Sequence, residues 1–269
     1  MTNSGLGKAN GVDVPTAKLS AEAQYAEFNS AALSPEQAQL YRSLTMRAAY
    51  LAQDRPDIGE ATKRLARHMK TPTEGAFQSL KRLARYLKKY PAACLEFREQ
   101  KTPNMVKVFV DSDHAGCVVT RRSTTGMIAK LGQHVIKHSS NLQSTVSLSS
   151  GESEYYALVK GASIALGLQS ILKDWRIDVG AEILSDSSAA KGTVSRRGLG
   201  KTRHVQTRYL WIQERLARKE ILVTKIKGTA NPADILTKAV NRATLLKHCQ
   251  SIGLCFVTHS TLQKKVMSG

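Results

Sequence analysis

The sequence predicts an α/β protein in which a helical segment precedes a mixed sheet with flanking helices. Residues 35–90 carry helix starts and helical patterns, and residues 106–139 contain three successive strand patterns. From residue 150 onward, helical and strand patterns alternate. Three meandering strands followed by crossover helices are typical of a sheet with both antiparallel and parallel neighbours.

The first part of the chain has a weakly patterned lead-in followed by helices. Residues 1–34 are rich in Gly, Ala, Ser and Thr without lasting periodicity, which predicts a poorly ordered lead-in. Ser34-Pro35 opens a helical pattern, and Thr71 is the predicted N-cap of the next helix. That helix carries Lys and Arg throughout 81–89, which fits either a solvated surface or a face that follows a nucleic-acid backbone.

The second part of the chain predicts the sheet and its helices. Apolar alternation marks three strands, with Gly132-Gln133 as the turn between the second and the third. A long helix then runs from about Ser150 to Trp175, and Ser149 with Glu152 is placed to cap its start. The predicted ranges are strands 106–111, 125–131, 134–139, 182–186 and 221–227, helices 187–194 and 204–219, and a final helix from Pro232.

The charge of the chain favours a polyanionic partner. There are 40 Lys plus Arg residues against 21 Asp plus Glu, which gives a formal charge of +19. The excess is uneven, because the segment from Ala190 to His248 holds 14 basic and three acidic residues. Phosphate contacts dominate nucleic-acid affinity, so this pattern indicates a nucleic-acid-binding protein. The alternative, a basic protein whose charge serves only to keep it soluble, ranks second.

Cysteine usage and the N-terminal residues predict an intracellular protein, cytoplasmic or nuclear and not secreted. The four cysteines, Cys94, Cys117, Cys249 and Cys255, are scattered without a CxxC pair, which weakens zinc and redox interpretations. No apolar signal region opens the sequence, and no run of 18 apolar residues occurs in it.

Four carboxylates carry the strongest functional signal. Asp111 follows the apolar run Val-Lys-Val-Phe-Val, and Asp186 ends the strand pattern Glu-Ile-Leu-Ser. Glu154 and Asp234 lie at the starts of helical patterns. Acids at strand ends and first helical turns can meet at one edge of a sheet, where they would repel one another unless divalent cations lay between them. The four residues therefore predict a metal-dependent site.

Short motifs follow one another in order from Tyr41 to Val240. They are Tyr41-Arg42-Ser43-Leu44, Arg55-Pro56-Asp57-Ile58, the basic helix at 81–88, Asp111-Ser112-Asp113-His114-Ala115-Gly116, Arg121–Gly126, Leu148–Tyr155, Ser185–Ala190, Lys201–His204, Arg208-Tyr209 and Ala233–Lys238. This series resembles the C-terminal part of a copia-type retrotransposon Pol polyprotein. The resemblance implies the end of a reverse transcriptase, thumb-like or connection-like, at 35–100, a ribonuclease H-like domain at 104–248 and a tail at 249–269.

The resemblance also implies an activity and its cofactors. A ribonuclease H cleaves the RNA strand of an RNA–DNA hybrid with two Mg²⁺ ions, for which Mn²⁺ can substitute. By the family match, Asp111, Glu154, Asp186 and Asp234 are the catalytic residues and metal ligands. The sequence has no Tyr-x-Asp-Asp signature, so no polymerase activity is expected from this chain alone, and a reverse transcriptase polymerase domain is a further implied partner.

Two of these assignments have alternatives. Glu152 lies in the same helical turn as Glu154, but its position suits the helix cap, so Glu154 is preferred as the ligand. Asp234 follows Pro232 and could cap the final helix instead of binding metal. The predicted nucleic-acid contacts are Arg196, Arg197, Lys201, Arg203, His204 and Arg208.

Two other functional classes remain open from the sequence alone. The chain could be a catalytically inactive nucleic-acid-binding remnant, or a structural fragment that docks onto a separate polymerase. The retained carboxylates favour the enzyme.

Overall fold

The structure, a computed structural model, describes residues 9–196, 198 and 209–257. These residues belong to two units. Of the described residues, 9–96 and 238–257 form the first, which we call the helical unit, and those between 97 and 237 form the second, which we call the sheet unit. Within the described residues, no helix combines the length and the apolar character that crossing a membrane requires.

Helices and a short ribbon of two antiparallel strands make up the helical unit. Apolar side chains of α2 that recur at helical spacing are buried, and the Tyr41 hydroxyl donates a 2.7 Å hydrogen bond to the carbonyl of Leu65. The elements are α1 (Ala21–Asn29), α2 (Pro35–Leu51), α3 (Gly59–Ala66), α4 (Glu74–Lys89), β1 (Ala93–Leu95), α8 (Arg242–Ser251) and β7 (Leu254–Phe256).

A five-stranded sheet with helices forms the sheet unit. Its elements are β2 (Met105–Asp113), β3 (Thr124–Leu131), β4 (His134–Leu142), α5 (Ser150–Asp174), β5 (Gly180–Ser185), α6 (Ser188–Ser195), α7 (Trp211–Ala217) and β6 (Leu222–Lys225). The strand order is β4-β3-β2-β5-β6, in which β2, β3 and β4 pair antiparallel and β5 and β6 continue parallel to β2. The predicted fold class, a ribonuclease H-like mixed sheet with flanking helices, is confirmed.

Close packing of α5 on the sheet fixes the position of the helix. Val106, Val108 and Val110 alternate along β2 and are fully buried. Gly161 of α5 lies against them, and a Cβ atom at this glycine would come within 2.6 Å of Val110 Cγ1. Because α5 has no side chain at Gly161, its backbone approaches β2 closely, and the start of the helix is set relative to the end of that strand.

The lead-in is more ordered than its composition predicts. Within 1–34, Ala21–Asn29 forms a helix capped by Ser20, and residues 9–13 contact the basic side of α4. Arg85 donates to the carbonyl of Asn10 at 2.6 Å, and Lys89 pairs with a carboxylate of the same segment at 2.7 Å. Polar and backbone contacts hold this segment, and such contacts leave no apolar periodicity in the sequence.

The C-terminal boundary also differs from the prediction. Residues 238–248 belong to the helical unit and not to the ribonuclease H-like domain, and the predicted tail supplies the strand β7, which pairs with β1. The final helix predicted from Pro232 is a 3₁₀-helix, Pro232–Leu236, and is followed by α8. A strand of three residues whose partner is far away in the chain gives too short a pattern to be recognised in the sequence.

Helix starts are shifted by the surrounding structure. The N-cap of α4 is Thr73 and not Thr71, since the Thr73 hydroxyl accepts from the backbone N–H of Ala76 at 3.3 Å. The same hydroxyl donates to the carbonyl of Glu27 at 2.8 Å. A contact with α1 therefore selects the capping threonine, and the local sequence could not show it.

Candidate metal centre

Asp111 lies near the end of the central strand β2. Only 3% of its surface is exposed, and Gly126 of β3 is its direct partner across the antiparallel pair. A Cβ atom at Gly126 would come within 2.7 Å of both Ala233 O and Thr237 Cγ2. The absence of a side chain at Gly126 therefore lets the segment 233–237 cover this part of the sheet beside Asp111.

Glu154 reaches the end of the same strand from the first turns of α5. Its Oε1 atom accepts a 3.2 Å hydrogen bond from the backbone N–H of Ser112, the residue after Asp111. Ser149 caps α5 and accepts from the backbone N–H of Glu152 at 3.2 Å. The capped start of α5 therefore sets how far Glu154 extends toward β2.

Glu152 is buried and makes contacts of a different kind. Its carboxylate accepts from the Tyr156 hydroxyl at 2.6 Å and from the backbone N–H of Leu148 at 2.9 Å. Burial raises the pKa of Tyr156, and the hydrogen bond to Glu152 raises it further. Glu152 thus stabilises the start of α5, while the Glu154 carboxylate lies at the end of β2.

Asp186 follows β5, the parallel neighbour of β2. The register pairs Phe109 with Leu184, so that Asp111 and Asp186 lie at the same level when the pairing is continued by two residues. The carboxyl ends of parallel strands meet at one edge of a sheet, which is where open α/β folds place their functional groups. The sequence Asp186-Ser187 then turns into α6, which Ser187 caps.

The structure brings three of the four predicted acids together. One carboxylate oxygen each from Asp111, Glu154 and Asp186 lies within 4.8 Å of the others, and this group could hold a metal ion. Asp111 is buried, while Glu154 and Asp186 are half-buried. Carboxylates at such separations repel one another without a cation, so the arrangement has the electrostatics of a cation site.

Asp234 is not a member of this group. It lies in the 3₁₀-helix Pro232–Leu236, which Asn231 caps, and the Asn231 side chain donates to the carbonyl of Val110 at 2.8 Å. This short helix instead presents Thr237 to Asp111, whose Oδ2 atom accepts a hydrogen bond from the Thr237 hydroxyl. The grouping does not test the metal role that the family match gave to Asp234, which remains a prediction.

Two further residues of the site were missed in the sequence. Thr237 lies in the motif Ala-Asp-Ile-Leu-Thr-Lys, whose aspartate was the residue predicted to bind metal. Gln143 is buried, and its amide donates to Thr125 Oγ1 at 3.0 Å and to the carbonyl of Ser153 at 2.9 Å. It links β3 to the residue before Glu154, and no sequence signal distinguishes it from other loop glutamines.

Most of the predicted nucleic-acid contacts lie outside the described residues. These are Arg197, Lys201, Arg203, His204 and Arg208. Arg196 is described and is the C-cap residue of α6. Near it, the Gln213 side chain donates to the carbonyls of Thr193 and Gly198, at 2.9 and 3.1 Å, and accepts from the Gly198 N–H at 2.9 Å. Gln213 of α7 therefore holds the start of the basic segment against the end of α6.

Comparison with known proteins decides the family. The chain is 30% identical over 190 residues to the retrovirus-related Pol polyprotein from transposon TNT 1-94 of Nicotiana tabacum, which is 70% of this chain and 14% of that protein. It is also 30% identical over 223 residues to the Pol polyprotein from transposon RE1 of Arabidopsis thaliana, which is 82% of this chain and 15% of that protein. The chain belongs to the copia-type Pol polyproteins. It corresponds to their C-terminal part and spans about a seventh of the length of these two relatives.

No protein-family model matches this Pol-family chain. Among solved structures, the N-terminal RNase H domain of a Mycobacterium tuberculosis protein is 18% identical and aligns with 55% of this chain and 97% of that domain, at a TM-score of 0.36. The strand order of the sheet unit, and not this likeness, carries the fold assignment.

Proposed function

We propose that the chain is a metal-dependent endoribonuclease that cleaves the RNA strand of RNA–DNA hybrids, as the ribonuclease H part of a copia-type Pol polyprotein. The observation that carries the proposal is the convergence of Asp111, Glu154 and Asp186 within 4.8 Å at the edge of the sheet. Family membership supports it, because three motifs of the family supply these three acids. No polymerase activity is proposed for this chain.

The residues of the cluster fit hard divalent cations. Every ligand atom that the group offers is a carboxylate oxygen, which is the donor that Mg²⁺ and Mn²⁺ prefer. No histidine or cysteine belongs to the group, so it lacks the soft ligands that favour zinc or copper. We propose two Mg²⁺ ions as the cofactors, with Mn²⁺ as a substitute. Bound there, such ions would activate the attacking water and stabilise the leaving oxygen of the phosphodiester.

The protein contributes rigid placement of the acids. Asp111 is fixed by the central strand and by the Thr237 hydroxyl, and Glu154 is fixed by the backbone N–H of Ser112. Asp186 is fixed at the end of a parallel strand beside β2. Side chains held on strand and helix ends keep the precise separations that phosphodiester hydrolysis needs. Removing any of the three charges should therefore stop catalysis without unfolding the sheet.

The charge of the chain supports a nucleic-acid substrate. A net charge of +19 favours a polyanion. The basic segment that starts at Arg196 is joined to Asp186 by the short helix α6. We propose that Arg196, Arg197, Lys201, Arg203, His204 and Arg208 contact the backbone of the hybrid. A hybrid is recognised mainly by its shape and by its 2′-hydroxyl groups, so we expect little sequence preference. A polymerase domain of a reverse transcriptase is proposed as a second partner.

Cleavage of labelled hybrids by the purified chain tests the proposal. The RNA strand of an RNA–DNA hybrid should be cut in Mg²⁺ and spared in EDTA, and single-stranded RNA, duplex RNA and duplex DNA should be cut much more slowly. Asp111→Asn should remove the activity, whereas Asp174→Asn, at the exposed C-terminal end of α5, is the matched control and should keep it.

The pattern of failure also separates the alternatives. If wild type binds hybrid in Mg²⁺ but never cuts it, the chain is a nucleic-acid-binding remnant. If it neither binds nor cuts hybrid but co-purifies with a polymerase chain, it is a structural fragment.

A further inference from the structure

Two cysteines lie directly opposite each other in the ribbon of the helical unit. The antiparallel register of β1 and β7 pairs Cys94 with Cys255. The backbone N–H of Glu96 donates to the carbonyl of Gly253 at 2.9 Å, so Glu96 and Gly253 are a hydrogen-bonded pair. They lie two residues away from Cys94 and Cys255, and hydrogen-bonded pairs recur every two residues along an antiparallel ladder. Cys94 and Cys255 are therefore a hydrogen-bonded pair, for which Cα atoms are about 5.5 Å apart. Disulfides span Cα separations of roughly 4.4–6.8 Å.

Exposure distinguishes this pair from the other two cysteines. Cys94 is exposed and Cys255 is half-buried, whereas Cys117 and Cys249 are each 1% exposed. Burial also raises the pKa of the Cys249 thiol, which disfavours the reactive thiolate. No disulfide joins any of the four, all of which lie in the part of the chain that the structure describes. Cys94 and Cys255 are thus the accessible cysteines, and they are also the pair that the fold brings together.

We propose that Cys94 and Cys255 form a reversible oxidation site, which a low-molecular-weight disulfide such as oxidised glutathione converts into a cross-strand disulfide. The thiolate of Cys94 attacks one sulfur of glutathione disulfide, forms a mixed disulfide and releases one glutathione thiolate. The Cys255 thiol then loses its proton, attacks the Cys94 sulfur and releases the second glutathione. Two protein thiols and one glutathione disulfide give one protein disulfide and two glutathione thiols.

The bond would join two segments that are far apart in the chain. β1 follows α4 and β7 follows α8, so the disulfide would tie the N-terminal helices of the helical unit to its C-terminal segment. Opposed residues have Cβ atoms about 4.5–5.5 Å apart, and a hydrogen-bonded pair lies toward the wider end of that range. A disulfide needs about 3.5–4.5 Å, so the ribbon must tighten by about 1 Å for the bond to form. A bond formed under such tension is more easily reduced, which makes the modification reversible.

Titration with glutathione redox buffers tests the site in the full chain. Intact-mass measurement after alkylation should show that oxidised wild type loses the mass of two hydrogen atoms, and peptide mapping should link Cys94 to Cys255. Cys94→Ser and Cys255→Ser should each abolish the bond, and Cys117→Ser and Cys249→Ser, the controls at buried positions, should leave it. The reduced mass should return when reduced glutathione is restored.

Comparison with the denatured chain shows whether the fold causes the pairing. The equilibrium constant with glutathione should be at least about tenfold larger in native buffer than in urea, because folding replaces closure of a long flexible loop by a preset pair. An equal constant in both conditions would overturn the proposal. A stable glutathione adduct on Cys94 without the cross-link, or a disulfide to Cys117 or Cys249, would overturn it as well.

Discussion

Removal of one charge from the acid cluster should have opposite effects on stability and on catalysis. Asp186→Asn keeps the size of the side chain, and its carboxylate lies within 4.8 Å of those of Asp111 and Glu154. Ser187, and not Asp186, caps the following helix, since its hydroxyl accepts from the backbone N–H of Ala190 at 3.1 Å. The substitution therefore removes repulsion without removing the cap.

The size of the effect follows from the separation of the charges. Two unit charges 4.8 Å apart repel by about 0.9 kcal/mol at the dielectric constant of water and by about 3.5 kcal/mol at an effective value of 20. Asp186 is half-buried and faces two such partners, and solvent screens part of the repulsion. We expect the metal-free Asp186→Asn variant to be more stable than wild type by about 1–3 kcal/mol, or about 2–4 °C in Tm per kcal/mol.

Magnesium should offset or reverse that difference in stability. A ligand that binds only the native state at one hundred times its Kd stabilises it by about 2.7 kcal/mol, and the variant should lose most of this gain. Thermal melts in EDTA and in Mg²⁺ measure the metal-free stability and the stabilisation by Mg²⁺, and hybrid cleavage measures catalysis. Asp174→Asn is the control for a lost surface charge. If Asp186→Asn is less stable than wild type in EDTA, or gains as much from Mg²⁺, Asp186 is a structural residue and not a metal ligand.

Three further perturbations test other parts of the site and the core. Thr237→Val should lose the charge-assisted hydrogen bond to Asp111, which should weaken Mg²⁺-dependent cleavage and cost about 1.5–3 kcal/mol of stability. Thr237→Ser keeps the hydroxyl and should keep both the cleavage and the stability. Equal cleavage by the two variants would mean that Thr237 is not part of the site. Glu154→Gln should abolish cleavage, and Glu152→Gln should keep it while lowering the melting temperature; the reverse pattern would make Glu152 the ligand. Burial, with two neighbouring arginines, lowers the pKa of His68 to about 4. Below about pH 6.5 this histidine therefore binds a proton in the unfolded chain but stays neutral in the native chain. The free energy of unfolding should therefore fall by up to about 2 kcal/mol between pH 6.5 and 5. Urea denaturation should show that the stability of His68→Phe depends less on pH than that of wild type. An equal dependence in the two proteins would mean that His68 is not held neutral.

The sheet unit was predictable from sequence because its elements are long and strongly patterned. The alternation of Val106, Val108 and Val110 marks the central strand, and the strand ends then place Asp111 and Asp186 at one edge. The capping pattern of Ser149 and Glu152 distinguishes Glu152 from Glu154 in the sequence itself. These features depend on local periodicity and on the direction of the chain, which a sequence carries directly.

The remaining features depend on contacts between distant residues. The contact of Thr237 with Asp111 depends on how a 3₁₀-helix packs on Gly126, which is far away in the chain. The order in the lead-in comes from polar contacts to α4, and the pairing of β1 with β7 comes from a register that no motif encodes. Sequence patterns alone could not give these tertiary contacts.

Ion binding at the acid cluster is the most direct test of the proposed nuclease. Crystals of the chain grown with Mn²⁺ and an RNA–DNA hybrid should show anomalous scattering peaks beside the carboxylates of Asp111, Glu154 and Asp186. Asp186→Asn crystals under the same conditions should lose at least one peak. Crystals that contain ordered hybrid at saturating Mn²⁺ but show no anomalous peak at these three residues would contradict the metal centre and the proposed function with it.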